Sequence, residues 1–386
     1  MRAARTSMRI DELRIQNFRG FPERSFPFHP EFNLLVGENA TGKTSILEAA
    51  ALAAATWFVG LRNNPDKRSF EKGDIHLKQI KINGRVSYEQ QFPVVVEAEG
   101  QVGGHSLSWI RSLESERGKT RYSEAADLRA LAAAMDSKVR KGEEAALPLI
   151  AYYGTMRLWQ EPRDLQKASQ VSYKGGAKKT SRFDGYKHSV DPRISVKELI
   201  TWFARQEWIS FQESGETEEL KLVRGAVLSG LDGAQSMQFD AKRGELLVQF
   251  KRSGTLPFAN LSDGQRSMLA MLADIAQKAL TLNPQLGKKT LKQTPGIVLI
   301  DELDLHLHPR WQLSLVETLR STFPKIQFIC TTHSPFLIQS LRSGEELLLL
   351  DGQPTDQLAN KGIEEIASGI MGIKNPEASP RYQAIG

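Results

Sequence analysis

Gly37-Glu38-Asn39-Ala40-Thr41-Gly42-Lys43-Thr44 fits the pattern G-x-x-x-x-G-K-[ST]. It follows an apolar run, Phe32 to Val36, and precedes a helix-forming run from Ser45 to Thr56. That strand–loop–helix context is what a phosphate cradle requires. Glycines let the backbone wrap an anion, and the start of a helix adds N–H groups and a favourable dipole. In such a loop Lys43 reaches the β- and γ-phosphates and Thr44 ligates Mg²⁺. The nucleotide-binding candidates are therefore Gly37, Glu38, Asn39, Ala40, Thr41, Gly42, Lys43, Thr44 and Ser45. The expected fold class is α/β, a P-loop NTPase.

A second stretch supports the first. Ile297-Val298-Leu299-Ile300 is a buried-strand pattern that ends in Asp301-Glu302. Beside a P-loop, Asp301 would hold Mg²⁺ directly or through water. Glu302 is placed to polarise the attacking water. Leu261-Ser262-Asp263-Gly264-Gln265-Arg266 opens a helix with Ser262 as a good N-cap. Thr331-Thr332-His333-Ser334-Pro335 follows another apolar strand.

Composition is that of an ordinary globular chain: 386 residues, 40% hydrophobic and 25% charged. One cysteine, Cys330, excludes an internal disulfide and a Cys-based zinc site, which suits a cytoplasmic location. Ile46 to Leu61 is the longest apolar stretch, and it is too short for a membrane span. The basic residues 1–7 lack the apolar core of a secretory signal and read as an N-terminal extension. A net charge of +6 is compatible with DNA contact without requiring it.

Along the chain, strands are expected from Arg9 to Phe18, at Phe32–Val36, at Ile80–Tyr88 and at Leu147–Tyr153, with a hairpin of Val94–Ala98 and His105–Arg111. Helices are expected over Gly42–Leu61, Ala125–Arg140, Val196–Glu213, Glu218–Leu231, Ser262–Leu282, Trp311–Phe323 and Pro335–Leu341. A strand pair is expected at Ser236–Asp240 and Leu246–Lys251, and further strands at Gly296–Ile300, Ile326–Thr331 and Leu347–Leu350. The polar stretch 161–193 reads as a long loop. Its basic part, Lys174 to Lys187, interleaves Tyr173, Phe183 and Tyr186, and either touches a nucleic-acid backbone or is simply solvated. His306 and His308 diverge in a helix and are not expected to bind a metal.

The chain resembles the ABC-type ATPases of the SMC, RecF and OLD groupings. The resemblance rests on Ile15-Gln16-Asn17-Phe18-Arg19-Gly20-Phe21, on the approach to the P-loop from Phe32 to Asn39, and on the order P-loop, Leu-Ser-x-Gly-Gln, acidic strand end, histidine. A narrower similarity is to the stand-alone "predicted ATP-binding protein involved in virulence" ATPases and the PtuA-like ATPases of Septu and retron antiphage systems. It rests on Asp301 to Gln312, Ala151 to Trp159 and Ser181 to Tyr186. The resemblance implies an ABC-type head: lobe I over 8–160 with an antiparallel sheet around the P-loop, a helical subdomain over 161–293, lobe II over 294–350, and a tail, 351–386, packed on the head. It implies that Ser262, Gly264 and Gln265 act in trans on ATP held by a second copy, giving a homodimer closed around ATP and Mg²⁺. It makes Arg19 a phosphate contact and His333 the switch histidine. The implied function is an ATPase that drives a separate effector, an HNH-type nuclease, in phage defence. The alternatives are a RecF-like DNA-repair clamp, a slow ATP-gated scaffold and a transporter subunit. His308 stands where the family's D-loop aspartate would be, and Gln90 and Gln91 are the candidates for a Q-loop glutamine. A coiled-coil arm and a C-terminal Toprim-like nuclease are not expected.

Overall fold

The computed structural model describes residues 8–63, 66, 68–83, 85–158, 181–350 and 365–366. Two sheets enclose one helix. The first is antiparallel, in the order β2 (Phe21–Pro27), β1 (Met8–Phe18), β6 (Val94–Val102), β7 (His105–Leu113). In β1 the buried side chains run Met8, Ile10, then Leu13, Ile15, because the register against β6 shifts between Ile10 and Glu12. One extra residue moves the following side chains to the other parity, so the bulge keeps the apolar face continuous.

The second sheet is parallel, in the order β14 (Leu347–Leu349), β3 (Phe32–Val36), β13 (Ile326–Thr331), β12 (Gly296–Ile300), β8 (Leu149–Tyr153). Every residue of β3, β8, β12 and β13 is buried. Continuous apolar runs of this kind belong to strands covered on both faces. The strand leading into the P-loop thus lies in the parallel sheet, which corrects the expectation of an antiparallel sheet around that loop. Strands from 32–36 and 149–153 join those from 296–349, so this sheet draws on residues from both ends of the chain.

Helix α1 (Lys43–Ala54) lies between the sheets, touching β1, β6 and β7 on one side and β12 and β13 on the other. Ala49 to Ala55, with Leu52, are all buried. Small side chains let two sheets approach one helix closely, and the antiparallel sheet secures it: Trp109 Nε1 donates to Ala53 O at 3.0 Å. Helices α2 (Thr56–Val59) and α3 (Ala126–Arg140) pack together beyond it.

The hairpin of β4 (Leu77–Ile82) and β5 (Arg85–Gln90) replaces the single strand expected there. Likewise β6 and β7 run to Val102 and from His105, so most of the stretch expected to be their turn is strand. Helices α4 (Val196–Gln212) and α5 (Glu218–Gly230) pack with a three-stranded sheet, β9 (Ala234–Asp240), β10 (Glu245–Phe250) and β11 (Gly254–Pro257). The last of these strands is an addition to the expected pair. Next come α6 (Asp263–Leu282), α7 (Thr290–Gln293), α8 (Pro309–Thr322) and α9 (Pro335–Gln339). Among the described residues no helix is long and apolar enough to cross a membrane.

Candidate nucleotide site

Because β3, β8, β12 and β13 are parallel, their carboxyl ends open on one edge, where ligands of open α/β sheets bind. β3 delivers the P-loop, β12 delivers Asp301-Glu302, β13 delivers Thr331 to His333, and β8 delivers Gly154 to Arg157. The four motifs therefore meet through strand order alone.

The P-loop turns with Ala40 at φ 68° and Gly42 at φ 95°. A Cβ on Gly42 would lie 2.5 Å from the Phe21 ring, so both conformation and space require glycine there. α1 has no side-chain cap and no acidic residue in its first turn, so an incoming phosphate can complete it. Lys43 Nζ donates to the carbonyls of Gly37, at 2.7 Å, and Glu38, at 2.8 Å. The ammonium is thus held over the loop that would receive the phosphates.

Asp301 is 4% exposed and uses both carboxylate oxygens. Thr44 Oγ1 donates to Oδ2 at 2.8 Å and Thr331 Oγ1 to Oδ1 at 2.6 Å. Residues distant in sequence, expected to share Mg²⁺, are in direct contact. The pair is an all-oxygen donor set with one carboxylate, which fits Mg²⁺, an ion usually bound by one or two carboxylates together with substrate phosphates.

Glu302 follows with a left-handed backbone, φ 46°. That conformation is disfavoured for a residue with a Cβ and persists where neighbours over-determine it. Its N–H donates to Thr331 Oγ1 at 2.7 Å, and its carbonyl accepts from Arg157 Nη2 at 3.2 Å. Among the described residues nothing hydrogen-bonds its half-buried carboxylate. His333 is half-buried too. Its N–H donates to Asp304 Oδ1 at 3.3 Å, and Thr332 Oγ1 donates to the same oxygen at 2.5 Å. Asp304 thereby ties the loop after β12 to the loop after β13. His308 caps α8, its Nδ1 accepting from Arg310 N at 3.3 Å.

Ser262 and Gln265 form a reciprocal capping box at the exposed start of α6: Gln265 N to Ser262 Oγ at 3.3 Å, and Ser262 N to Gln265 Oε1 at 3.0 Å. Gly264 is buried against the chain's own loop, and a Cβ there would lie 2.2 Å from His306 O. Its lack of a side chain is required within the subunit, before any second copy is considered.

Arg19, expected as a phosphate contact, donates through Nε to the buried Asp74 at 2.9 Å and lies 3.9 Å from Glu48 of α1. Gln90 pairs with Leu77 in the hairpin, and Gln91 donates to Glu89 O, so neither is placed with the motifs. Phe183 and Tyr186 are buried, and Trp57 Nε1 donates to Tyr186 Oη at 3.0 Å. They are core residues, which removes them from the nucleic-acid surface suggested for that stretch; Tyr173 and residues 174–180 lie outside the described residues, as do 1–7 and most of the tail.

Arg157 and Thr331, to which motif reading gave no role, also contact the acidic strand end. Arg157 is 2% exposed, and among the described residues no carboxylate lies within salt-bridge distance of it. Four oxygens solvate it: Ser267 Oγ at 2.6 Å, Gly154 O at 3.0 Å, Asp301 O at 2.9 Å and Glu302 O at 3.2 Å. Burial lowers its pKa to about 10, with the nearby Asp301 carboxylate acting against the shift, so it stays charged at neutral pH.

The chain is similar to several known proteins. The chain is 25% identical to the "Retron Ec83 probable ATPase" of Escherichia coli, over 94% of this chain and 75% of that one. It is 26% identical to the "Septu protein PtuA" of Bacillus mycoides (strain KBAB4), over 89% of this chain and 41% of that longer protein. The SMC head domain from Thermotoga maritima superposes with a TM-score of 0.45 at 13% identity, covering 88% of this chain and 94% of that one. The family described as "AAA domain, putative AbiEii toxin, Type IV TA system" matches residues 32–339, and the chain belongs to it.

Proposed function

We propose that the protein is a Mg²⁺-dependent ATPase that dimerises around ATP and gates a partner effector in antiphage defence. The single observation that carries the catalytic part is the Thr44–Asp301 contact at 2.8 Å, with Glu302 next in sequence. It supports a phosphate cradle, a Mg²⁺ pair and a general base on one sheet edge. The retron and Septu relatives support the defence setting. An HNH-type nuclease is the effector we would look for first.

In this reading Lys43 and the P-loop amides hold the triphosphate, and Thr44 and Asp301 hold Mg²⁺. When bound, Mg²⁺ neutralises charge on the β- and γ-phosphates. Glu302 polarises the water in line with the γ-phosphate and His333 orients that phosphate. Ser262, Gly264 and Gln265 present a helix start to the ATP of the second copy. The lobe boundaries at 160 and 293 belong to the same proposal.

The test is phosphate release by the purified protein with Mg-ATP, with mass measured by light scattering. Glu302→Gln should abolish turnover while ATP holds the protein as a dimer. Failure of the wild type to bind or hydrolyse ATP overturns the ATPase; a monomer under all nucleotide conditions overturns the shared site. Binding to DNA that requires ATP and weakens with salt would instead favour the repair-clamp alternative.

A further inference from the structure

We infer that Arg157 is a positioning residue that couples the signature helix α6 to the backbone of Glu302 in the same subunit. The inference rests on the proposed roles of Glu302 and Ser262. It adds a route by which engagement of one subunit's helix with nucleotide sets that subunit's own general base.

Gly264, Ser267 and Asp274 recur at helical spacing along one stripe of α6. Each meets the carboxyl edge of the parallel sheet. Gly264 packs on His306 O, Ser267 Oγ accepts from Arg157 Nε at 2.6 Å, and Asp274 Oδ2 accepts from Tyr153 Oη at 2.7 Å. Ser267 is the member of this stripe that reaches the end of β12, through Arg157. Its guanidinium is planar and rigid, so one nitrogen cannot follow Ser267 while the others stay still on Asp301 O and Glu302 O. Its own backbone is fixed by Ile194 N, which donates to Arg157 O at 2.7 Å. The element at the receiving end, Glu302 at φ 46°, has three hydrogen bonds to its own backbone among the described residues: to Thr331 Oγ1, from Leu305 N at 3.0 Å and from Arg157 Nη2, the last being the one that leads to α6. A buried cation without a carboxylate in salt-bridge range is costly to retain. Aliphatic packing would stabilise the same space more cheaply, but it could not hold two consecutive carbonyls to a helix.

Ser267→Ala cuts the link and leaves the rest of α6 anchored through Tyr153–Asp274, so the variant folds. Steady-state hydrolysis by Ser267→Ala should show kcat reduced by about 10- to 100-fold, as expected for a misplaced catalytic group, with KM and ATP affinity unchanged. Ser267→Thr, which restores the hydroxyl, should recover most of the rate. Hydrogen exchange of ligand-free protein supplies a readout independent of turnover. Amides from Glu302 to Leu307 should exchange faster in Ser267→Ala, with those of α1 unaffected. Wild-type kcat together with wild-type exchange in that segment would overturn the coupling. So would a parallel rise in KM with general loss of protection, the mark of simple loosening. If the wild type hydrolyses no ATP, the proposed activity fails by itself, and the exchange of residues 302–307 alone decides the link: faster in Ser267→Ala supports it, unchanged overturns it.

Discussion

Thr331 donates its hydroxyl hydrogen to Asp301 and takes the Glu302 N–H on the same oxygen. One buried hydroxyl therefore orients both acids at the end of β12. Removing it leaves a buried carboxylate oxygen and a buried N–H without their partner, and each such loss costs about 1–3 kcal/mol. Thr331→Val, which keeps the volume, should lower the unfolding free energy by about 2 kcal/mol in urea titration and depress ATP turnover, whereas Thr318→Val, on the exposed side of α8, should do neither. Asp66 provides a pH test. Burial pushes its carboxyl up from 3.8 to about 6, against the Val190 N–H that donates to it at 2.6 Å. The folded state then binds the proton more tightly than the unfolded chain. The stability this group contributes is present below about pH 4 and lost as pH rises through 6. Asp66→Asn keeps an acceptor for Val190 and removes the charge. Its denaturation midpoint should exceed wild type at pH 7.5 and converge with it below about pH 4; a constant difference across that range would contradict the assignment. At this scale Lys43, Thr44, Asp301 and Glu302 were legible because each sits at a fixed offset within a short motif. Arg157 and Thr331 were not, because their partners come from separate strands and from α6, and no spacing in the chain encodes that meeting.

The elements read most faithfully were β3, β12 and β13, whose observed limits match the apolar runs. Strands buried on both faces announce themselves by unbroken hydrophobicity. The exposed β4–β5 hairpin carries no such signal, yet Asn83-Gly84 lies between paired Ile82 and Arg85, and that dipeptide is the strongest short hairpin mark a sequence offers. β11 was missed because Gly254 to Pro257 is short and looks like turn chemistry. Glycines within helices give a prediction at the same scale. Replacing a helical glycine by alanine ordinarily stabilises by about 0.5–1 kcal/mol. Gly225 on α5 has nothing within 4 Å of a new Cβ, and Gly225→Ala should show that gain. At Gly264 the new Cβ would meet the His306 carbonyl at 2.2 Å, and backbone must move. Gly264→Ala should therefore reverse the sign, losing about 1–3 kcal/mol. Matched urea titrations of the two variants compare them directly; a gain in both would mean that α6 is not seated on the loop.

Taken as a whole molecule, the chain places its P-loop and its signature helix on one subunit, with Ser262 exposed at the start of α6. An exposed helix start stabilises an anion only when that anion is brought to it. In the dimer proposed here the second copy brings it, and the symmetry of a two-fold pair makes both sites alike. The most direct challenge is to block the helix start while leaving the P-loop intact. In the Glu302→Gln background, which should accumulate a nucleotide-loaded dimer, Ser262→Arg places a long side chain where the partner's triphosphate would lie. The substitution also removes the cap, at about 0.5–2 kcal/mol, a loss the fold should tolerate and a melting curve would register. ATP affinity should stay within a few-fold of the parent, since Lys43, Thr44 and Asp301 are untouched. The mass in the presence of ATP should fall from dimer to monomer. A dimer that persists with Arg at this position, in protein that still binds ATP, would mean that the two copies join through another face, and the shared site would have to be abandoned while the Thr44–Asp301 contact and the ATPase reading built on it stood.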